Sequence, residues 1–251
     1  ATGGYVTAWD VVNEAISGGG DDGEGFYTLQ SAKNVSAEDA KNNFYWQDYL
    51  GSEDYVRIVV AAARKYYAEN GGVKPLKLFI NDYNLESTWD NNQKAKSLVH
   101  WIEKWESDGV TKIDGIGTQM HVAYRANAAD QQKQEEHVVK MFEILAKSGK
   151  LVKVSELDMG YVDESGTTVL TKDMTEEQHK AMAEYYKFIV KKYFEIIPVA
   201  QQYGITQWCA TDAPGAPGDS NWRGGEPVGL WDSNYNRKHT YAGFADGLAG
   251  K

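Results

Sequence analysis

The chain has 251 residues, a formal net charge of −10 and a single cysteine, Cys209. That length holds one large domain or two small ones, the negative charge opposes contact with a phosphate backbone and argues against a nucleic-acid partner, and one thiol excludes an internal disulfide or a cysteine metal cage. No stretch approaches the roughly 20 apolar residues that span a bilayer, and Ala1-Thr2-Gly3-Gly4 has neither the basic nor the apolar region of a signal peptide, so no membrane partner is expected.

Taken in chain order, a short strand, a loop and a helix recur. A first strand is expected over Tyr5–Val11, followed by a loop carrying Gly18-Gly19-Gly20, Asp21, Asp22 and Glu24. A helix over Glu53–Glu69 places Val56, Val59, Val60, Ala63 and Tyr67 on one face, with Ser52 as its N-cap. The next strand, Leu76–Ile80, leads to a helix over Asn91–Ser107 behind Asp90. A third strand, Gly115–His121, leads to a helix over Gln131–Lys147 behind Asp130. A fourth, Leu151–Leu157, leads to a helix over Glu176–Tyr193 behind Thr175. The fifth strand is expected over Ile205–Ala210, and a short last helix begins near Thr240. Asp90 and Thr175 each have a glutamine three residues on, the spacing of a capping box.

Strict alternation of strand and helix implies parallel strands joined by right-handed crossovers, in either a doubly wound sheet or a (β/α)8 TIM barrel. The strand ends separate the two. The first strand runs into Asn13-Glu14, the second into Asn81-Asp82-Tyr83-Asn84, the third into Gln119-Met120-His121, the fourth into Glu156-Leu157-Asp158 and the fifth into Trp208. A barrel builds its site from such strand ends, whereas a nucleotide-binding sheet wants a Gly-rich phosphate turn after the first strand. Gly18-Gly19-Gly20 comes too late for that turn, and its loop reads as a solvated insertion. Asp21, Asp22 and Glu24 lack the spacing of an EF-hand, so no metal is assigned there and no cofactor is expected.

Two glutamates on different strand ends suit cleavage of a glycosidic bond, where one carboxyl must be protonated while the other is ionised. A lone strand-end glutamate is equally at home in a structural ion pair. The residues alone therefore reach a carboxylate-based barrel enzyme and stop. Eight Trp and 16 Tyr offer rings on which sugars stack, although Trp46, Trp89, Trp101 and Trp105 fall on helices or outer loops and read as packing residues.

At these positions the chain resembles glycoside hydrolase family 10, the xylanase family, over nearly its whole length. Trp9-Asp10-Val11-Val12-Asn13-Glu14-Ala15 is similar to the family's acid/base strand and Ser155-Glu156-Leu157-Asp158 to its nucleophile motif. Gly117-Thr118-Gln119-Met120-His121 and Asn81-Asp82-Tyr83-Asn84 match the intervening strand ends, and Gln207-Trp208 with Ser220-Asn221-Trp222-Arg223 resembles the last strand and its loop. The tail from Gly229-Leu230-Trp231-Asp232 to Tyr241 is similar as well. The resemblance implies hydrolysis of β-1,4-xylan or xylo-oligosaccharides with retention, Glu14 acting as general acid/base and Glu156 as nucleophile. It implies support from Asn13, His121 and Asp158, and substrate contacts from Tyr83, Gln119, Trp208 and Trp222. It also implies a secreted, cell-surface or periplasmic location.

Aligned on the acid/base motif, the first strand corresponds to the family's fourth. Residues 1–251 are thus expected to form one partial catalytic domain, units four to eight of the barrel, whose natural partner is the missing N-terminal segment of the same gene product. The roles that the family assigns to the first three units have no heir here. Two other readings stay open: a retaining β-glucanase or cellulase on the same barrel, and a fragment that binds carbohydrate without cleaving it.

Overall fold

The computed structural model describes residues 4–212 and 222–251. Ser220 and Asn221 of the last motif lie outside the described residues, as do Ala1, Thr2 and Gly3. Runs suited to a pleated surface covered on both faces form the strands β1 (Ala8–Asn13), β2 (Lys77–Asp82), β3 (Gly115–Thr118), β4 (His121–Arg125), β5 (Leu151–Val162) and β6 (Gln202–Gln207). All pair in parallel. The order is β1-β2-β3-β5, with β6 on the other side of β5 and β4 pairing its distal half.

Four long helices cover the outer face: α3 (Asp54–Glu69), α4 (Gln93–Glu106), α5 (Ala128–Lys147) and α6 (Glu176–Ile196). The short α1 (Ala37–Asn42) and α2 (Gln47–Leu50) precede them, and α7 (His239–Leu248) closes the chain. The apolar stripes expected from helical spacing meet the strands. Val56 and Val60 of α3, Leu98 and Trp105 of α4, Met141 and Phe142 of α5, and Tyr186 and Ile189 of α6 join Leu78, Ile80, Ile116, Val152 and Val154 in one buried core. Each large apolar side chain so buried contributes about 1.5–3 kcal/mol against solvent exposure.

The inner face shows that the sheet curls. Lys153 Nζ on β5 lies 2.8 Å from Asp10 Oδ1 on β1, although β2 and β3 stand between those strands. The same ammonium sits 4.8 Å from the centre of the Phe79 ring, which packs on Tyr203 of β6. Five barrel positions therefore face one concave side, the wall of a (β/α)8 architecture. Among the described residues, β1 pairs only with β2 and β6 only with β5, so each leaves one edge of backbone groups without a strand partner. Trp9 is 47% and Tyr203 43% exposed on those edges. No described helix is long and apolar enough to cross a membrane.

Several boundaries differ from the sequence expectation. The run Gly115–His121 divides into β3 and β4 because Met120 takes φ 54°, a left-handed turn that breaks strand geometry. The strand expected to end at Leu157 continues to Val162, where β4 gives it a partner. Thr175 and Gln178 form the expected capping box, but Asn127 rather than Asp130 caps α5, accepting from the N–H groups of Ala129 and Asp130. Ser52 caps nothing. Asp90 stands ahead of the left-handed Asn92 and still accepts the Lys94 N–H at 3.1 Å in the first turn of α4.

The glycine loop is not a free insertion. Asp22 accepts the N–H groups of Glu24 and Phe26 and lies 2.9 Å from His100 Nε2 on α4, while the Phe26 ring stacks on His100 at 4.0 Å. Burial disfavours the Asp22 charge, but those N–H groups and His100 outweigh it and hold the carboxyl below its usual value. Ligand-type atoms of Asp22, Glu24 and His100 converge within 4.8 Å, although Asp22 is already engaged by these donors.

Candidate active site

The parallel register brings the ends of β1, β2, β3 and β5 together on one rim. At the end of β1, Glu14 takes φ 56°, which turns its side chain out of the strand, and its N–H donates to the Asn81 carbonyl at 2.7 Å. One residue past the end of β3, the Gln119 N–H donates to the Asp82 carbonyl at 3.0 Å. Its side chain then reaches back, Nε2 donating to Glu14 Oε1 at 2.9 Å and lying 3.3 Å from Asn13 Oδ1.

Asn81 ties this group to the opposite wall. Its Nδ2 donates to Asn13 Oδ1 at 2.8 Å and to Glu156 Oε1 at 3.0 Å, while its Oδ1 accepts from Ser155 Oγ at 2.6 Å. Glu14 and Glu156, 142 positions apart in the chain, thus belong to one hydrogen-bonded network running through Gln119, Asn13 and Asn81. A glycine makes this possible. A Cβ on Gly117 would fall 2.3 Å from Asn81 Oδ1, so only glycine lets the amide lie flat across β3.

Glu156 receives its second contact from His121, whose Nε2 is 3.2 Å from Oε2. His121 Nδ1 lies 3.1 Å from Asp158 Oδ2 but outside hydrogen-bonding geometry, so that contact is electrostatic. Burial pulls the imidazole's pKa down, yet the Asp158 and Glu156 carboxylates together raise it above 6.5. Asp158 is fully buried. Trp222 Nε1 donates to its Oδ2 at 2.6 Å, and Arg223 Nη1 donates to its Oδ1 at 2.9 Å and to the Val122 carbonyl at 3.0 Å.

The remaining residues singled out from sequence line the same rim. Trp222 packs 4.6 Å from His121 and Trp208 meets it edge-on at 5.9 Å, both about half exposed. Tyr83 is half-buried, with Lys94 Nζ 3.4 Å from its ring centre. Its hydroxyl pKa is raised by burial first and then by the carboxylates of Asp82 and Glu14. Trp101 and Trp105 are core, as expected, but Trp46 is not. It is 57% exposed and, with Phe44 and Tyr45, lines a cleft of about 640 Å³ that opens beside Asn13 and Glu14 along the free edge of β1. Trp89 is also exposed, at the mouth of a cavity of about 290 Å³ shared with Glu86 and His121.

Sequence reading passed over Asn81, Ser155 and Arg223 as individual site residues. Asn81 and Ser155 stand inside quoted motifs beside the residues chosen, so proximity was their only signal. Arg223 likewise stands in a quoted motif beside Trp222, while its partner Asp158 is 65 positions away.

Chemically, two carboxyls on opposite walls, each with a fixed amide donor and one with an imidazole, can share the work of acid and nucleophile. The description of glycosyl hydrolase family 10 matches residues 2–247. The chain belongs to that family. It is 31% identical to endo-beta-1,4-xylanase Xyn10C of Cellvibrio japonicus, over 98% of this chain and 37% of the relative. It is 27% identical to endo-1,4-beta-xylanase A of the same species, over 99% of this chain and 38% of the relative. This family 10 chain therefore spans under two-fifths of the length of either curated relative. Among solved structures it superposes on native xylanase 10C of C. japonicus with a TM-score of 0.69 at 28% identity, covering 98% of this chain and 46% of the other. A mutant of that enzyme in complex with xylopentaose gives the same TM-score and identity, covering 98% and 44%.

Proposed function

We propose that the protein carrying this chain is an endo-acting β-1,4-xylan hydrolase that works with retention. The observation that carries the reading is the single network holding Glu14 and Glu156 at the ends of β1 and β5. In the first step Glu156 attacks the anomeric carbon while Glu14 gives its proton to the departing glycosidic oxygen. In the second, Glu14 takes a proton from water, which displaces Glu156 from the sugar. Asn81 and His121 aim the nucleophile, because each holds one of its two carboxylate oxygens. Gln119 does the same for orientation of Glu14, and Asn13 links the two sides. Asp158, pinned by Arg223 and Trp222, steadies His121. Tyr83, Trp208 and Trp222 present half-exposed rings where a xylose unit can stack, and the named xylanases support xylan as the substrate.

A polymer of this size is met outside the cell membrane, which supports a secreted, cell-surface or periplasmic location. The free edges of β1 and β6 support a further part of the reading, that the active protein covers them with chain corresponding to the barrel's first three units. The test of mechanism is proton NMR of the first product from xylo-oligosaccharide. A β-configured hemiacetal is expected, whereas an α-configured one would overturn the retaining assignment. Parallel assays on carboxymethyl-cellulose test the substrate class, and a clear preference for it would replace xylan with a glucan.

A further inference from the structure

We infer that the buried ion pair between Asp82 and Lys94 is a positioning device for Glu14, acting on the acid/base and not on the nucleophile. The inference rests on the roles proposed for Glu14 and Glu156 and adds two residues outside the reacting network. Both are almost wholly buried, Asp82 at 0% and Lys94 at 1% exposure, and Lys94 Nζ lies 2.8 Å from Asp82 Oδ1. A buried pair of this kind gains little net stability over apolar residues of equal volume, because both ions lose their hydration. Its geometry serves another end.

The other side-chain bonds of Asp82, and the bond to its carbonyl, lead to the Glu14 side of the site. Oδ2 accepts the N–H of Ile16 at 3.0 Å, two residues beyond Glu14, and Oδ1 accepts the N–H of Tyr83 at 2.9 Å. The Asp82 carbonyl accepts the N–H of Gln119, the residue whose side chain donates to Glu14 Oε1. Together with the Asn81 carbonyl, which holds the Glu14 N–H, the end of β2 clamps the backbone on both sides of an acid/base residue that stands at an unfavourable φ of 56°. Lys94 completes the clamp from α4. Its ammonium neutralises the carboxylate and sits on the Tyr83 ring, fixing the aromatic beside the acid/base. Asp82 itself makes no side-chain bond to Glu156, Ser155 or His121; the contacts from β2 to the nucleophile run through the side chain of Asn81.

The distinction can be read in leaving-group dependence. In the full-length gene product, Asp82→Asn keeps the shape but leaves one acceptor oxygen where there were two, freeing either the Ile16 N–H or both Lys94 and the Tyr83 N–H. A displacement of the acid/base by about 1 Å costs on the order of 10²-fold where proton donation matters. The variant is expected to lose roughly that factor on xylan, while the burst of dinitrophenol from a dinitrophenyl xylobioside, which needs no proton, falls less than about threefold. Azide should speed its turnover on the activated glycoside by replacing the water that Glu14 no longer activates. Lys94→Gln, which keeps a donor for the carboxylate, should show the same split in smaller measure and covers the case in which Asp82→Asn fails to fold. Glu14→Ala is run alongside. If it shows the split and the pair variants lose both substrates in parallel, the ion pair is merely structural and the inference fails alone. If Glu14→Ala itself shows no split, the assignment of the acid/base falls and takes this inference with it.

Discussion

Replacing Asn81 by alanine strikes the account where the two glutamates are joined. The amide is 1% exposed and makes three hydrogen bonds, two donated to Asn13 Oδ1 and Glu156 Oε1 and one accepted from Ser155 Oγ. The bond to the charged Glu156 contributes about 1.5–3 kcal/mol and the neutral ones about 1 kcal/mol each, with a further cost for buried partners left unsatisfied. If the Glu156 bond acts in aiming the nucleophile, kcat/KM falls by roughly 10- to 150-fold, at one power of ten per 1.36 kcal/mol. The fall should appear on a dinitrophenyl xylobioside as strongly as on xylan, because the nucleophile is needed whatever the leaving group. Loss of the neutral bonds lowers Tm by about 2–4 °C per kcal/mol in a domain of this size. Steady-state kinetics on both substrates with thermal unfolding of the same preparation make the assay. A folded Asn81→Ala protein that retains activity on the activated glycoside within threefold would refute the role given to Asn81 and weaken the linked-network reading.

Gly117→Ala should reproduce part of this phenotype, since its Cβ lands 2.3 Å from Asn81 Oδ1 and 3.2 Å from Lys153 Cε. A stability loss of about 1–3 kcal/mol with a fall in activity is expected, and unchanged melting and kinetics would show that β3 tolerates the methyl. The raised pKa of His121 gives a pH signature. Its charge contributes stability that is fully present below the unfolded value of 6.5 and lost as pH rises through the higher folded-state value. The Tm gap between the parent and His121→Gln should therefore be widest in acid and narrow above neutrality; a gap that widens with pH would reverse the assignment. Residues 1–251 produced alone should unfold at lower temperature and release less reducing sugar than the same chain joined to a segment corresponding to the barrel's first three units, because β1 and β6, among the described residues, each have a strand neighbour on one side only. Equal stability and activity of the two forms would show that these edges need no cover.

Much of the architecture was legible because two periods alternate along the chain. Apolar stripes such as Val56, Val60 and Tyr67 marked the helices, and polar residues at strand ends marked the rim. What escaped was set by contacts distant in sequence. Nothing near Met120 announces a left-handed residue, and the break between β3 and β4 makes sense only once Asp158–Val162 is seen to pair with His121–Arg125. The two edge strands were misplaced by two or three residues, β1 lying at Ala8–Asn13 and β6 at Gln202–Gln207, since each has pairing on only one side to constrain it. Asp22 read as solvated because its partner His100 is 78 positions away. Trp46 read as packing because its helix is only four residues long and buries nothing. Glu14 and Glu156 were legible as chemistry from strand-end placement, but their connection through Asn81 and Gln119 depends on the curl of the sheet.

The most direct test of the central claim is to trap the covalent intermediate. A 2-deoxy-2-fluoro xylobioside with a good leaving group slows the second step more than the first, so the glycosyl-enzyme accumulates and can be digested for mass spectrometry. A single sugar adduct is expected on the peptide containing Ser155-Glu156-Leu157, with fragmentation placing it on Glu156, and none on the peptide containing Asn13-Glu14. An adduct on Glu14, or release of the leaving group with no adduct at all, would contradict that claim.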